Sequence, residues 1–127
     1  MQQRMDLSLV AGSALANHRL LKLSSGEAVY NTETSTDQPI GVSKLNVDVG
    51  GDVSIEPMNK PGTVEICAAG AISQDADVYA ADDGKIQALP ASAGTYRKIG
   101  IAMKAASGDG SIIEVLPYGY TNTTTVT

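Results

Sequence analysis

His18 and Cys67, the only histidine and the only cysteine, are the residues of this sequence best suited to nucleophilic or acid–base chemistry. His18 lies in Asn17-His18-Arg19, where no sequence pattern places a carboxylate and a nucleophile beside it. Cys67 lies in the apolar segment 64–69, where a charged thiolate would be costly. A lone cysteine also excludes an intrachain disulfide and a multi-cysteine metal site. We therefore predict a solvated or hydrogen-bonded histidine, a buried thiol and a protein that is not an enzyme.

Two other patterns resemble ligand sites only loosely. A group of carboxylates lacks the ligand spacing of a calcium loop, and no Glu closes one; its members are Asp75, Asp77, Asp82 and Asp83. The Gly-rich segments 49–52 and 107–111 lack the Lys and the strand–loop–helix setting of a phosphate-binding loop. We predict hairpin turns at these segments and a solvated acidic rim, with no metal and no cofactor.

The charge balance argues against nucleic acid as a direct partner. Fourteen acidic residues against nine basic ones give a net charge of −5, and the isoelectric point is about 4.6. Basic residues meet an aromatic ring at Tyr96-Arg97-Lys98, which is far less than a nucleic-acid platform. No run approaches 18 apolar residues, so the sequence predicts no membrane span.

Evenly spaced turn formers predict the elements that would hold any site. Between them lie short runs rich in Val, Ile, Leu, Tyr and Thr, which is typical of an all-β fold. Two hairpins are predicted, at 20–30 around Ser-Ser-Gly-Glu and at 78–89 around Asp-Asp-Gly. Further strands are predicted at 40–46, 53–58, 62–68, 99–104 and 112–116. Helical periodicity is almost absent: only the segments 11–15 and 102–106 are Ala-rich enough for a helical turn, and neither is long enough to stand alone.

The chain also resembles itself. Ile40-Gly41 returns as Ile99-Gly100 at a separation of 59, and Ile55-Glu56 returns as Ile113-Glu114 at a separation of 58. Gly26 and Gly50 also recur 58 residues later. Two copies are too few for a solenoid. The sequence therefore predicts a small antiparallel β-barrel or β-sandwich, whose two pseudo-repeated halves share an aliphatic core without Phe or Trp.

The predicted organisation is a single β domain with flexible terminal arms. It comprises an N-terminal arm at 1–9, the domain at 10–118 with pseudo-repeats at about 20–60 and 78–118, and a Thr-rich C-terminal tail at 119–127. Tails of this kind are commonly disordered in the free protein. In a competing interpretation, an arm adds a strand to a neighbouring molecule.

Several stretches resemble the phage capsid decoration (cement) proteins. They are 17–23, 37–42, 69–79, 83–86, and 99–102 leading to 110–115. The resemblance spans residues 10–117. The turn at 73–77 departs from the family pattern Ser-x-Gly-Asp, because it has no Gly.

This resemblance implies a structural protein that decorates and stabilises the outer surface of an icosahedral phage capsid, made in the host cytoplasm. It implies binding across seams of the major capsid protein and a homo-oligomer, with a trimer favoured. The candidate partner-contact residues are Gln2, Gln3, Arg4, Met5, Tyr96, Arg97, Tyr118 and Tyr120.

Two alternatives remain open at this point. One is a glycan- or receptor-binding β module displayed on a virion or cell surface, with sugars stacked on Tyr30, Tyr79, Tyr96, Tyr118 and Tyr120, although no Trp strengthens that platform. The other is an accessory β-barrel of an enzyme complex.

Overall fold

The structure is a computed structural model and describes residues 7–59 and 62–127. These residues form short strands and a one-turn 3₁₀ helix at Asp82–Gly84. The strands are β1 (Leu7–Val10), β2 (Leu20–Ser24), β3 (Glu27–Tyr30), β4 (Pro39–Ser43), β5 (Asp52–Pro57), β6 (Val64–Cys67), β7 (Asp77–Ala80), β8 (Ile86–Gln87), β9 (Gly94–Ala102), β10 (Ile112–Pro117) and β11 (Thr123–Val126). The all-β prediction is confirmed.

The strands make two antiparallel sheets in a sandwich-like arrangement, with no closed barrel among the described residues. The first sheet has the order β1-β5-β4-β2-β3, and the second has the order β6-β10-β9-β7-β8. Adding five to each strand number of the first sheet gives the second. β11 lies outside this shared pattern and pairs with the beginning of β9. We call residues 7–58 the first half and residues 64–118 the second half.

Details of the backbone repeat as well, so residues in the paired strands of the two halves can be matched. A lone antiparallel bridge between Leu15 and Val47 corresponds to one between Ile72 and Ala106. The pairing of β2 with β4 shifts register after Leu21, and the pairing of β7 with β9 shifts 57 positions later, after Val78. Residues at corresponding places in this pattern, separated by 57 to 60 positions, are called equivalent below.

The repeated Ile-Gly pair has a steric cause. A Cβ atom on Gly41 would overlap the carbonyl oxygen of Glu56 on β5, and one on Gly100 would overlap the carbonyl oxygen of Leu116 on β10. Backbone atoms cannot yield as a flexible side chain can, so each half needs glycine where its central strands approach closely.

Each half has its own apolar cluster, and the clusters differ in size. The smaller cluster belongs to the first half and includes Leu15, Leu21 and Ile55. The larger cluster is built mainly by the second half, and it also takes in Leu20, Val42 and Met58 from the first half. Among the buried residues that the structure describes, the predicted common core is therefore shared through these three side chains.

Polar contacts also join the two halves. Together with the packing of Leu20, Val42 and Met58 on the second half, they form what we call the half–half interface. The Gly84 N–H donates to the Asn31 carbonyl at 2.9 Å, and the Arg19 Nη1 donates to the Asp83 carbonyl at 2.9 Å. The Cys67 N–H donates to the His18 carbonyl at 2.7 Å. The turn between β7 and β8 thus docks on the first half beside the start of β2 and the end of β3.

Strand bounds and helical turns differ from the sequence predictions in places. β9 begins at Gly94 rather than at 99, because β11 pairs with its first four residues. The Ala-rich segments 11–15 and 102–106 form no helical turn: they are bends that end in the Leu15 and Ala106 bridges. Tertiary pairing there outweighs the helix propensity of Ala. β1 includes residues 7–9 of the predicted N-terminal arm, and β11 lies within the predicted tail.

Candidate functional site

The histidine and the cysteine meet through their backbones at the half–half interface. His18 is half-buried, has φ of +56°, and accepts the Cys67 N–H through its carbonyl. The thiol of Cys67 is buried and lies 3.7 Å from the carbonyl of Ala68, to which it donates. Both residues therefore take part in joining the halves, and the prediction of a buried thiol is confirmed.

Two members of the loose group of carboxylates, Asp77 and Asp82, make structural contacts. Asp77 lies 3.4 Å from Lys98 Nζ, and Asp82 accepts the Glu33 N–H at 3.0 Å. Within 7–59 and 62–127, no group of three or more His, Cys, Asp or Glu side chains is placed to hold a metal ion. In the same residues, no helix is long and apolar enough to cross a membrane.

Tyr96 and Arg97, two predicted contact residues, lie on the part of β9 that pairs with β11. The Tyr96 ring is buried, and its hydroxyl donates to the Ser92 carbonyl at 3.0 Å. Arg97 is half-buried; its Nε and Nη2 donate to the Ser35 carbonyl at 3.1 and 2.7 Å, and its Nη1 donates to the Tyr120 carbonyl at 3.2 Å. Arg97 thus ties the loop before β4 to the turn before β11.

Tyr118 and Tyr120 flank this region but differ in exposure. Tyr118 is exposed, and Lys98 Nζ lies 5.0 Å from the centre of its ring. Tyr120 is half-buried and packs against the larger apolar cluster. Of the four predicted contact residues that the structure describes, Tyr118 presents the most side chain to solvent. The other four, Gln2, Gln3, Arg4 and Met5, lie outside the described residues.

Exposed apolar side chains are the surface feature that the sequence analysis missed. Val10, Leu23, Leu45 and Leu89 are exposed, as is Tyr118. Alternation along β2 puts Leu21 and Leu23 on one face, yet only Leu21 is buried. No sequence signal distinguishes them, because their equivalents in the other half, Val78 and Ala80, are both buried.

Two surface depressions among the described residues are shallow and open. The depression beside Ala14, Tyr30 and Val47 has a volume of about 430 Å³ and is open to solvent. Another, of about 370 Å³, lies between Glu33 and Tyr96. Small-molecule sites are instead enclosed, mostly apolar clefts.

Two carboxyl groups have displaced pKa values. Burial alone would raise the pKa of Asp37, but hydrogen bonds from Thr32 and Lys22 and the Lys22 charge bring it below its ordinary value of 3.8. The ion pair between Lys22 Nζ and Asp37 Oδ2 measures 2.9 Å. The pKa of the exposed Asp109 is lowered chiefly by the hydrogen bond from Lys85. These groups brace loops on the surface.

Comparisons with known proteins identify relatives of the whole fold. A family model described as phage cement protein matches residues 1–117. Among solved structures, the head fiber gp8.5 N base of bacteriophage phi29 is similar with a TM-score of 0.69 and 18% identity, covering 91% of this chain and 94% of that one. At that identity, the likeness is one of fold. A comparison with curated proteins found no match.

Proposed function

This chain belongs to the phage cement protein family, and we propose that it decorates and stabilises the outer surface of an icosahedral capsid by binding across seams between major capsid protein subunits. It is a capsid-associated structural protein of the virion. The observation that carries the proposal is the family match, which spans both halves of the fold.

The physical requirements of such a role are met by the fold. A protein that binds only the assembled shell stabilises that shell by mass action, by about 2.7 kcal/mol per site when the free protein is at about 100 times its Kd. This effect needs a rigid binder and no catalytic group. Two packed apolar clusters and the Arg97 contacts supply rigidity. We propose that the protein acts without catalysis.

The C-terminal strand is our candidate for the capsid contact, together with Gln2, Gln3, Arg4 and Met5. Among the described strands, β11 pairs only with β9, so its other edge is open. Residues 121–127 contain no charge and no Pro, which are the usual devices that protect an edge strand. Thr123 and Thr125 are exposed. An extended coat segment can therefore add to this edge by backbone hydrogen bonds.

The tail also lies beyond the family match, which ends at residue 117. A contact through β11 would thus adapt a common scaffold to one particular coat protein. We further propose that the protein acts as a homo-oligomer, a trimer, because symmetric assemblies can engage several coat subunits at once and gain avidity.

The glycan-binding alternative has less support. Two of its five tyrosines, Tyr79 and Tyr96, are buried, and Tyr30 uses its hydroxyl to accept the Ala16 N–H at 2.7 Å. This leaves Tyr118 as the exposed ring of that set.

The test is the heat stability of undecorated capsids with and without the protein. The proposal predicts a higher melting temperature of the shell, and a smaller rise with the Thr123→Lys variant, whose charge protects the β11 edge. Ser54→Lys is the matched control, since Ser54 is exposed on β5 within the first sheet. An unchanged melting temperature with saturating wild-type protein contradicts the proposal.

A further inference from the structure

Residues at the half–half interface have equivalents that are exposed on the other half. Met58 is 3% exposed because it packs on the second half, whereas its equivalent Tyr118 is 60% exposed. The equivalence is fixed by the backbone: the Met58 N–H donates to the Ile40 carbonyl, and the Tyr118 N–H donates to the Ile99 carbonyl. In the first half, this surface is covered by the second half. The equivalent surface of the second half is exposed to solvent.

The same surface contains two more such positions. Leu89 is 44% exposed, and its equivalent Asn31 is fully buried beneath Gly84. Ile101 is half-buried, and its equivalent Val42 is fully buried in the larger cluster. We call Leu89, Ile101 and Tyr118 the free sheet surface.

The first half has the complementary free surface. In the second half, Ala80 is fully buried and the following turn docks on the first half. The equivalent of Ala80 is Leu23, which is 55% exposed. The equivalent of Gly84 is Gly26, around which a Cβ atom would meet nothing within 4 Å. We call Leu23 and the adjoining turn at 24–26 the free turn surface.

We propose that a second copy of this chain docks its free turn surface on the free sheet surface of the first copy, repeating the half–half interface between molecules. We choose a second copy as the partner because every chain carries a free turn surface, which is equivalent to the turn that docks on the first half within the chain. Copies with a net charge of −5 repel one another, but the turn at 24–26 is uncharged. Asp77, beside the free sheet surface, is paired with Lys98.

A backbone hydrogen bond of the half–half interface also has an equivalent pair of residues, one in each half. The Cys67 N–H donates to the carbonyl of His18, whose φ is +56°. The equivalents are Val10, on the edge strand β1, and Asp75, whose φ is +69°. Contact between copies would bring the Val10 N–H to the Asp75 carbonyl.

This contact is head-to-tail, because each copy carries one surface of each kind. Such contacts form a closed ring when the rotation between copies closes, and an open filament otherwise. A trimeric ring would contain six halves joined by six contacts of one type. Three of these contacts would lie within chains and three between chains. The inference rests on the homo-oligomer proposed above and names its interface. The test of this inference uses no capsids. A negative result would therefore be distinct from a failure of the protein to bind the shell.

The experiment is sedimentation velocity on three variants over a concentration series. Leu23→Glu disables the free turn surface and Leu89→Glu the free sheet surface; Leu45→Glu is the control, because Leu45 and its equivalent Lys104 are both exposed. Each changed side chain is exposed, so the fold should persist, which circular dichroism checks. We expect an oligomer for the wild type and Leu45→Glu, and monomers for the other two.

Mixing Leu23→Glu with Leu89→Glu then distinguishes a head-to-tail contact from a two-fold one. Each variant retains the surface that the other lacks, so the mixture should form a heterodimer with one intact contact. A monomeric wild type, an oligomer that survives either substitution, or a mixture without heterodimers overturns the proposal.

A disulfide supplies an independent readout of the same geometry. A Cβ atom built on Gly84 lies 2.9 Å from the Arg19 Cβ, so an outward shift of the turn by about 1 Å would reach the Cβ–Cβ separation of about 3.8 Å found in disulfides. The equivalent pair is Gly26 and Ala76. Mixed Gly26→Cys and Ala76→Cys proteins should therefore form a covalent dimer under mild oxidation, while Gly50→Cys with Ala76→Cys should not. Equal yields from both mixtures would contradict the docking mode.

Discussion

The Gly84 N–H donates to the Asn31 carbonyl at 2.9 Å, which fixes the turn of the second half against the first half. A Cβ atom on Gly84 would lie 2.5 Å from the Leu20 carbonyl oxygen. The equivalent glycine of the first half, Gly26, has open space around it. The turn at Gly84 therefore joins the two halves of the chain, whereas the equivalent turn at Gly26 is free.

Gly84→Ala should destabilise the protein far more than Gly50→Ala. Both glycines have positive φ, +71° and +84°, so both variants suffer backbone strain of about 1–2 kcal/mol. Only Gly84→Ala adds a clash with backbone atoms at the half–half interface. Urea denaturation should give losses of about 1 kcal/mol for Gly50→Ala and at least about 3 kcal/mol for Gly84→Ala. Equal losses would contradict the docked turn.

Gly41→Ala and Gly100→Ala should each cost at least about 3 kcal/mol or prevent folding, because each Cβ atom would overlap a carbonyl oxygen of the adjacent strand. Gly108→Ala is the control, since nothing lies within 4 Å of its Cβ position and its φ is not positive. Denaturation midpoints check the comparison. A tolerated alanine at either strand position would refute the close approach.

Stability should fall in acid partly through Asp37. Its pKa is lower in the folded than in the unfolded chain, so its contribution is present above its ordinary value of 3.8 and is lost as the pH falls through the folded pKa. Asp37→Asn should cost about 1 kcal/mol at neutral pH and flatten the acid limb of the stability–pH curve. An acid limb with unchanged slope would show that the Lys22 pair does not act in this way.

Arg97→Ala should loosen β11 without unfolding the sheets. The side chain joins Ser35 to Tyr120 through three hydrogen bonds and helps to anchor the turn before β11. Hydrogen exchange at 123–126 should accelerate at least about tenfold, since losing hydrogen bonds from a charged donor costs about 1.5–3 kcal/mol. Exchange within β10 should stay as in the wild type. Uniform acceleration in both strands would indicate global destabilisation instead.

Much of the fold was predictable because turn residues alternate with short apolar runs. The hairpins around Gly26 and Gly84 follow from the φ > 0 positions that their turns require. The repeat was visible because Gly41 and Gly100 meet the same steric limit. Such constraints act within a few residues, so they leave a trace in the sequence.

Other features depend on contacts between distant segments and left no such trace. Tyr96 was predicted as a contact residue, but pairing with β11 and packing bury its ring. Leu23 looks like a core residue by alternation, yet β2 extends beyond the apolar cluster at that point. The difference between Tyr118 and Met58 arises because one copy of the repeat has a neighbour within the chain and the other does not.

The most direct test of the capsid role is binding to undecorated capsids from the same phage. The purified protein is mixed with expanded shells, the shells are pelleted, and bound copies per shell are counted. The proposed function predicts saturation at a copy number that icosahedral symmetry permits. No co-pelleting with competent shells, or binding that rises without saturation, would contradict it.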